Sequence, residues 1–384
     1  MFILNRSPKE DVEKAFSVRP YRPGDEEELV KLLQLVFDGW PHYDLKCSAL
    51  DHWRWRYMDN PIDMNLCVVC EVDGRIVGCN HAIPLRMKIG DDTVLVTSAV
   101  DLAVHPDYRR SGMRNSMADL RWKLNQKAGC KLSYYTTSNP IIIKNFSKGQ
   151  TRFPYTITNM VRIRDIDLQL QAMPRKNAWL MKLGFRAAKL INDAENALAH
   201  QGAEPDVDIV EASMFDERMD SLWDEVSKHY TFIVERRPRY LNWRYCDGRA
   251  GDFLIRQAVK DGGIIGYSVL RINRYLKEYS IGYIVDLITP PDRIDVADAL
   301  IQDAVNYFDR DGINIVNFQM IKNHTYLDVL KKHGFLDGRV KFNLFYRPAG
   351  ETDVIQGIEM SPPSKLLISW GDHDVLPVGM PSYQ

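Results

Sequence analysis

No segment of the 384-residue sequence stays apolar long enough to cross a bilayer. Its opening residues, MFILNRSPKEDVEKAF, bring acids soon after a short apolar start and hold no apolar core of signal-peptide length, so a cytoplasmic protein without a membrane span is expected. An excess of one charge is missing too. Lys and Arg number 50 against 51 for Asp and Glu, which excludes a broad pull toward nucleic acid or anionic lipid and makes any basic site local. Cysteine is scarce: six residues (Cys47, Cys67, Cys70, Cys79, Cys130, Cys246) are scattered through mostly apolar runs, as buried reduced thiols would be rather than a disulfide framework. Cys67 and Cys70 share the run LCVVCEV, where residues three apart on a strand point to opposite faces, so no metal or redox pair is expected.

What remains has the balance of a folded chain, 45% hydrophobic and 26% charged, and its length favours two domains. In RPGDEEELVKLLQLVF the pattern predicts an amphipathic helix, with Asp25 as its cap, Glu28 at the capping-box position and Leu29, Leu32, Leu33, Val36 and Phe37 on one face. Asp73-Gly74 joins two β-rich runs as a hairpin, TVLVTSAVDLAV supplies a third strand, and MRNSMADLRWKLNQKAG a helix with Met113, Met117, Leu120 and Leu124 at helical spacing. KLSYYTTS then requires a crossover that lays it parallel beside the third strand, and the fold class is mixed α/β.

The second half repeats the first. HWRWRYMDN and YLNWRYCDG pair Trp55, Arg56, Tyr57 and Asp59 with Trp243, Arg244, Tyr245 and Asp247 at a constant offset, and Asp261-Gly262 answers Asp73-Gly74. VDLAV at 100–104 matches VDLIT at 285–289, and SNPIIIKNFSKG at 138–149 matches KNHTYLDVLKKHGF at 322–335. Between the halves, MPRKNAWLMKLGFRAAKLINDAENALAHQGAEPD reads as a helical connector whose Trp179, Leu180, Leu183 and Phe185 pack on the domains, in preference to a membrane-surface helix. The cluster Asp372, His373, Asp374 lacks further ligands at metal spacing and reads as a solvated loop.

The chemistry is concentrated in VDLAVHPDYRRSGMRNSMADL, where a strand opens through an Arg- and Gly-bearing loop into a helix. Unpaired amides and the positive dipole end of a helix N-terminus favour a phosphate, Arg109, Arg110 and Arg114 add charge, and Gly112 lets backbone approach an anion. The run V-x-P-x-Y-R-R-x-G, at Val104, Pro106, Tyr108, Arg109, Arg110 and Gly112, resembles the acyl-CoA loop of GNAT acetyltransferases, Arg/Gln-x-x-Gly-x-Gly/Ala, with Arg114 in place of the last small residue. The resemblance covers residues 17–165 and 207–347 and implies two tandem GNAT-like domains, mostly antiparallel with a central parallel pair splayed for CoA. It further implies that Leu102, Ala103 and Val104 offer backbone to the pantetheine, that residues 109 to 114, Ser111 and Met113 included, hold the pyrophosphate, and that Tyr134 through Asn139 form the facing wall. Asn139 is equally a turn residue before Pro140.

Acetyl transfer to an amine needs a base, oxyanion donors and an acid for the thiolate. Asp101, Glu71 and His105 are the base candidates; His105 is also legible as a merely exposed imidazole. Phe146 stands where many GNAT enzymes carry a tyrosine acid, which leaves Tyr134, Tyr135 or water. In the second copy DRIDVADALI has acids and no glycine where the phosphate loop would be, so that copy is expected not to bind CoA. The expected organisation is an acyl-CoA-binding domain at 1–165, a connector at 166–206, a degenerate copy at 207–347 and a tail at 348–384. The expected activity is transfer of acetyl from acetyl-CoA to a primary amine of a small molecule or amino sugar. A CoA-binding sensor without turnover and a FemABX-like aminoacyl transferase are the alternatives.

Overall fold

The computed structural model describes residues 15–109, 112–144, 149–172, 179, 182–187, 206–275, 279–350 and 358–373. Strand β1 (Ser17–Pro20) leads into helices α1 (Glu26–Val36) and α2 (Ala49–Tyr57). Leu29, Leu32 and Leu33 are buried as their spacing predicts, but no capping box forms at the start of α1. Arg19, not the helix, captures the Asp25 side chain, and the Glu28 carboxylate accepts from the Ile76 amide.

Strands β2 (Val68–Val72), β3 (Arg75–Ile89) and β4 (Asp92–Val104) form the antiparallel meander. Its first turn places Asp73 and Gly74 both at positive φ, the geometry a two-residue hairpin demands. Helix α3 (Met113–Lys127) crosses to β5 (Leu132–Thr137), which pairs parallel with β4. Then come α4 (Pro140–Lys144), β6 (Thr151–Arg152), β7 (Ile157–Ile163) and α5 (Ile166–Ala172).

The remainder of the chain runs β8 (Asp208–Ala212), α6 (Arg218–Val226), β9 (Phe232–Val234), α7 (Pro238–Tyr245), β10 (Leu254–Lys260), β11 (Gly263–Asn273), β12 (Ile281–Ile288), α8 (Ile294–Arg310), β13 (Ile315–Ile321), α9 (Leu327–Lys332) and β14 (Phe335–Pro348). The β10–β11 turn, Asp261-Gly262, has positive φ at both residues, and β12 pairs parallel with β13. One open sheet of 14 strands results, in the order β1-β2-β3-β4-β5-β14-β7-β13-β12-β11-β10-β8, with β6 and β9 off this path. The last strand, β14, lies between β5 and β7, while β7 lies between β14 and β13. Each strand thus completes the part of the sheet that the other end of the chain begins, and one core of buried side chains runs through both parts.

Two further sequence expectations fail outside the site. Asp372 and His373 are buried, not solvated: Arg236 pairs with Asp372 at 2.6 Å and with Asp286 at 2.9 Å, and Trp370 is sealed in the core. Polar side chains can be interior when a distant cation compensates them. In the connector, Trp179 and Leu183 are exposed rather than packed, and Leu180 lies outside the described residues.

Candidate active site

Strands β4 and β5 hold together through three residue pairs only, Val96 with Leu132, Thr97 with Ser133 and Ser98 with Tyr134. Beyond them β4 continues to Val104 and β5 to Thr137 without pairing, so the strands part. A β-bulge shapes the same stretch of β4. On β3 the register jumps from Cys79 opposite Ala103 to His81 opposite Val100, and Asp101 takes a positive φ of 44°. Such a conformation is costly for a residue other than glycine and recurs where a side chain is aimed at a site.

The parted strands open into a cavity of about 1050 Å³. Arg109, Gly112, Met113 and Arg114 line it. Gly112 caps α3 at φ 81°, and among the described residues a Cβ there would meet nothing within 4 Å beyond its chain neighbours. Asn115 and Ser116 make the first amide bonds of the helix, both to the Gly112 carbonyl, which leaves the amides of Met113 and Arg114 outside the ladder. Asp101 lines the same cavity, as do Phe37, Trp40 and Tyr43 from the α1–α2 connection.

The Asp101 carboxylate is held through a single oxygen. Its Oδ2 accepts from the Tyr57 hydroxyl and from Trp40 Nε1 at 3.1 Å, with Arg56 Nη1 at 3.5 Å. Its Oδ1 makes no hydrogen bond among the described residues. Burial, then the neighbouring Asp101 charge, holds the Tyr57 hydroxyl well above its ordinary pKa, so Tyr57 remains a donor. His81 completes the support. Its Nε2 accepts from Trp53 Nε1 at 3.1 Å, which leaves Nδ1 to donate to the Asp101 carbonyl at 3.2 Å. Burial lowers the His81 pKa to about 4 and keeps the ring neutral for that task.

On β5, Tyr135 lines the cavity, donates to Gln150 at 3.2 Å and stacks on Phe345. Burial pushes its pKa up to about 12. Tyr134 points the other way, into the core, and donates to the Asp372 carbonyl at 2.9 Å.

The cavity therefore gathers Asp101, Leu102, Val104, Arg109, Gly112, Met113, Arg114 and Tyr135. Glu71 is elsewhere, in an ion pair with Arg19 at 2.5 Å on the far edge of the sheet. His105 is the first residue of a short turn, where Nδ1 accepts from the Asp107 amide at 3.3 Å, and it does not line the cavity. Asn139 caps α4, accepting from the Ile141 amide at 2.9 Å. Ala103 is packed in the core on the opposite side of β4 from its cavity-lining neighbours. Arg110, Ser111 and Phe146 lie outside the described residues. Sequence reasoning passed over Trp40, Tyr57, His81 and Arg121; only Tyr57 carried a signal, its recurrence as Tyr245. Among the described residues no group of three or more His, Cys, Asp or Glu could hold a metal.

Residues 17–147 match the family model described as an acetyltransferase (GNAT) domain. This stretch is a GNAT acetyltransferase domain, and the chain thereby carries an acyltransferase domain. No curated protein sequence matches the chain. Among solved structures it is similar to a probable N-acyltransferase from Enterococcus faecalis V583, at 12% identity and a TM-score of 0.58 over 87% of this chain and 73% of that one. It is similar likewise to N-myristoyltransferase of Saccharomyces cerevisiae with bound myristoyl-CoA, at 12% identity and 0.58 over 88% and 80%. A third is a GCN5-related N-acetyltransferase from Anabaena variabilis ATCC 29413, at 12% and 0.57 over 86% and 72%. At such identities the likeness establishes the fold.

Proposed function

We propose that the chain transfers acetyl, or a longer acyl group, from acyl-CoA directly to a primary amine of a small molecule or amino sugar in a ternary complex. The observation that carries this reading is a single cavity joining an anion-accepting helix end to an open carboxylate through a gap between parallel strands. The amides at Met113 and Arg114, with Arg109 and Arg114, hold the pyrophosphate. Unpaired backbone of β4 beside Leu102 and Val104 binds the pantetheine. Asp101 Oδ1 takes the amine proton, while Tyr57, Trp40 and Arg56 fix the opposite oxygen. Tyr135, protonated at neutral pH, supplies the proton to the departing thiolate.

An acyl group longer than acetyl is favoured by the apolar wall of Phe37, Trp40, Tyr43, Ile141 and Ile142.

We read the chain as two tandem copies, 1–165 and 207–347, the second without a donor site. Supporting this, Asp286, the counterpart of Asp101, is fully buried and bound by Arg236, Tyr245 and Tyr267. Helix α8 begins on Arg293, which pairs with Asp295, where α3 begins on glycine.

The test is a thermal-shift titration with CoA and acyl-CoA of increasing chain length, followed by free-thiol release over a panel of amines. Asp101→Asn should retain the shift and lose about 10²–10⁴-fold in kcat. Turnover equal to wild type would remove Asp101 as the base, and stabilisation without any amine-dependent thiol release would leave a CoA-binding sensor.

A further inference from the structure

Helix α3 lines the cavity along one face, Arg114, Ala118 and Arg121, at the i, i+4, i+7 spacing that stacks side chains on one side. Arg114 stands at the mouth. Arg121 lies two turns deeper, about 10 Å along the axis. Its Nη1 donates to the Ser133 hydroxyl at 3.3 Å, and Ser133 is the partner of Thr97 just below the point where β4 and β5 separate. Arg121 therefore occupies the closed end of the gap, and Ala118 leaves room above it.

Only 9% of Arg121 is exposed, and no carboxylate pairs with it among the described residues. Its Nε is sealed from solvent without a hydrogen-bond partner. The electrostatic neighbours are the Cys67 and Cys130 thiols and a second cation, Arg347, which stacks on Trp122. Other buried arginines of this protein are compensated: Arg236 by Asp286 and Asp372, Arg271 by Asp44, Arg56 by Asp101. A buried charge is ordinarily paired, because it loses its hydration and receives nothing in return. Desolvation pulls the Arg121 pKa down to about 10, which still leaves it cationic at neutral pH. Arginine also presents the planar fork that matches a carboxylate with two parallel bonds.

We propose that Arg121 is a carboxylate-binding residue at the floor of the cavity, taking a terminal carboxylate of a substrate that lies between β4 and β5. This inference rests on the acyl-CoA reading above. The carboxylate belongs either to a dicarboxylic acyl group on the donor or to an amino-acid-like acceptor, and the two are separable by experiment.

Dissociation constants of the full chain for CoA, acetyl-CoA, butyryl-CoA and succinyl-CoA form the donor arm. Rates of thiol release from acetyl-CoA with an amino acid and with its decarboxylated amine form the acceptor arm. Wild type should prefer the carboxylate member by about tenfold or more in one arm. Arg121→Met should abolish that preference while binding CoA as wild type does, and Arg121→Lys should restore part of it. A preference confined to succinyl-CoA assigns the carboxylate to the donor, and one confined to the amino acid assigns it to the acceptor. Equal treatment in both arms by wild type, or a preference untouched in Arg121→Met, overturns the proposal while CoA binding leaves the acyl-CoA reading standing. Failure of CoA itself to bind would sink that reading, and this inference with it.

Discussion

Asp101 and Gly112 both depend on backbone that most residues avoid. The bulge in β4 turns the Asp101 side chain out of the strand's alternation, and the positive φ at Gly112 starts α3 with an unobstructed turn. Replacing Gly112 by Val sets a β-branched residue in the left-handed region and adds its methyls to the lining of the cavity. The thermal shift given by CoA should then disappear although the variant stays folded by circular dichroism; an undiminished shift would show that the anion lies elsewhere. Residue type alone offered three base candidates, Asp101, Glu71 and His105. Telling which of them borders the cavity required knowing that Glu71 pairs with Arg19 and that His105 turns into its own loop.

At the scale of elements, the decisive contacts join α2 to α7. Trp55 and Trp243 stack with centroids 5.1 Å apart, and each indole donates to the other's backbone carbonyl, Trp55 Nε1 at 2.9 Å and Trp243 Nε1 at 3.1 Å. Their repetition in WRY pointed to packing; the reciprocity was invisible until the two helices met. Trp55→Ala should cost about 3–5 kcal/mol, measured by equilibrium denaturation, because it opens a cavity and strands the Trp243 indole without its stacking partner. A cost below 1 kcal/mol would mean that this seam contributes little. Helix α3 shows the opposite limit of pattern reading. Met113 and Met117 were legible as its apolar face, whereas Arg121 and Asn125 are buried as well, because the sheet beneath supplies Ser133 and Thr97 as polar partners, and Trp122 is buried against the Arg347 guanidinium.

For the whole molecule, one continuous sheet carries both parts of the chain, and the segment 358–373 is bound across them. Leu367 donates to Phe232, Asp372 meets Arg236 and its carbonyl receives Tyr134. His373 is buried there, as His324 and His81 are elsewhere, and burial lowers their pKa values to about 3, about 4 and about 4 from an ordinary 6.5. Below pH 6.5 the unfolded chain takes up protons that these folded rings refuse. Their full contribution to stability is therefore present above pH 6.5 and falls as the pH drops toward 4, and toward 3 for His373, levelling below. Denaturant midpoints should decline steadily from pH 7 to 4.5, by an amount reaching several kcal/mol in unfolding free energy. A flat profile over that interval would show that these histidines are solvated.

Composition, hairpin dipeptides and the strand–loop–helix around VDLAVHPDYRRSG sufficed for the α/β class, the parallel neighbour of the third strand and the glycine that opens α3, since each depends on residues close in sequence. Only the tertiary structure decided that β14 and β7 exchange places, that Asp372 is interior, that Asp101 rather than Glu71 faces the cavity and that Arg121 lines it. Those outcomes turn on compensation between groups far apart along the chain, and the free energy of a buried charge is set by the partner that reaches it, which no local pattern encodes.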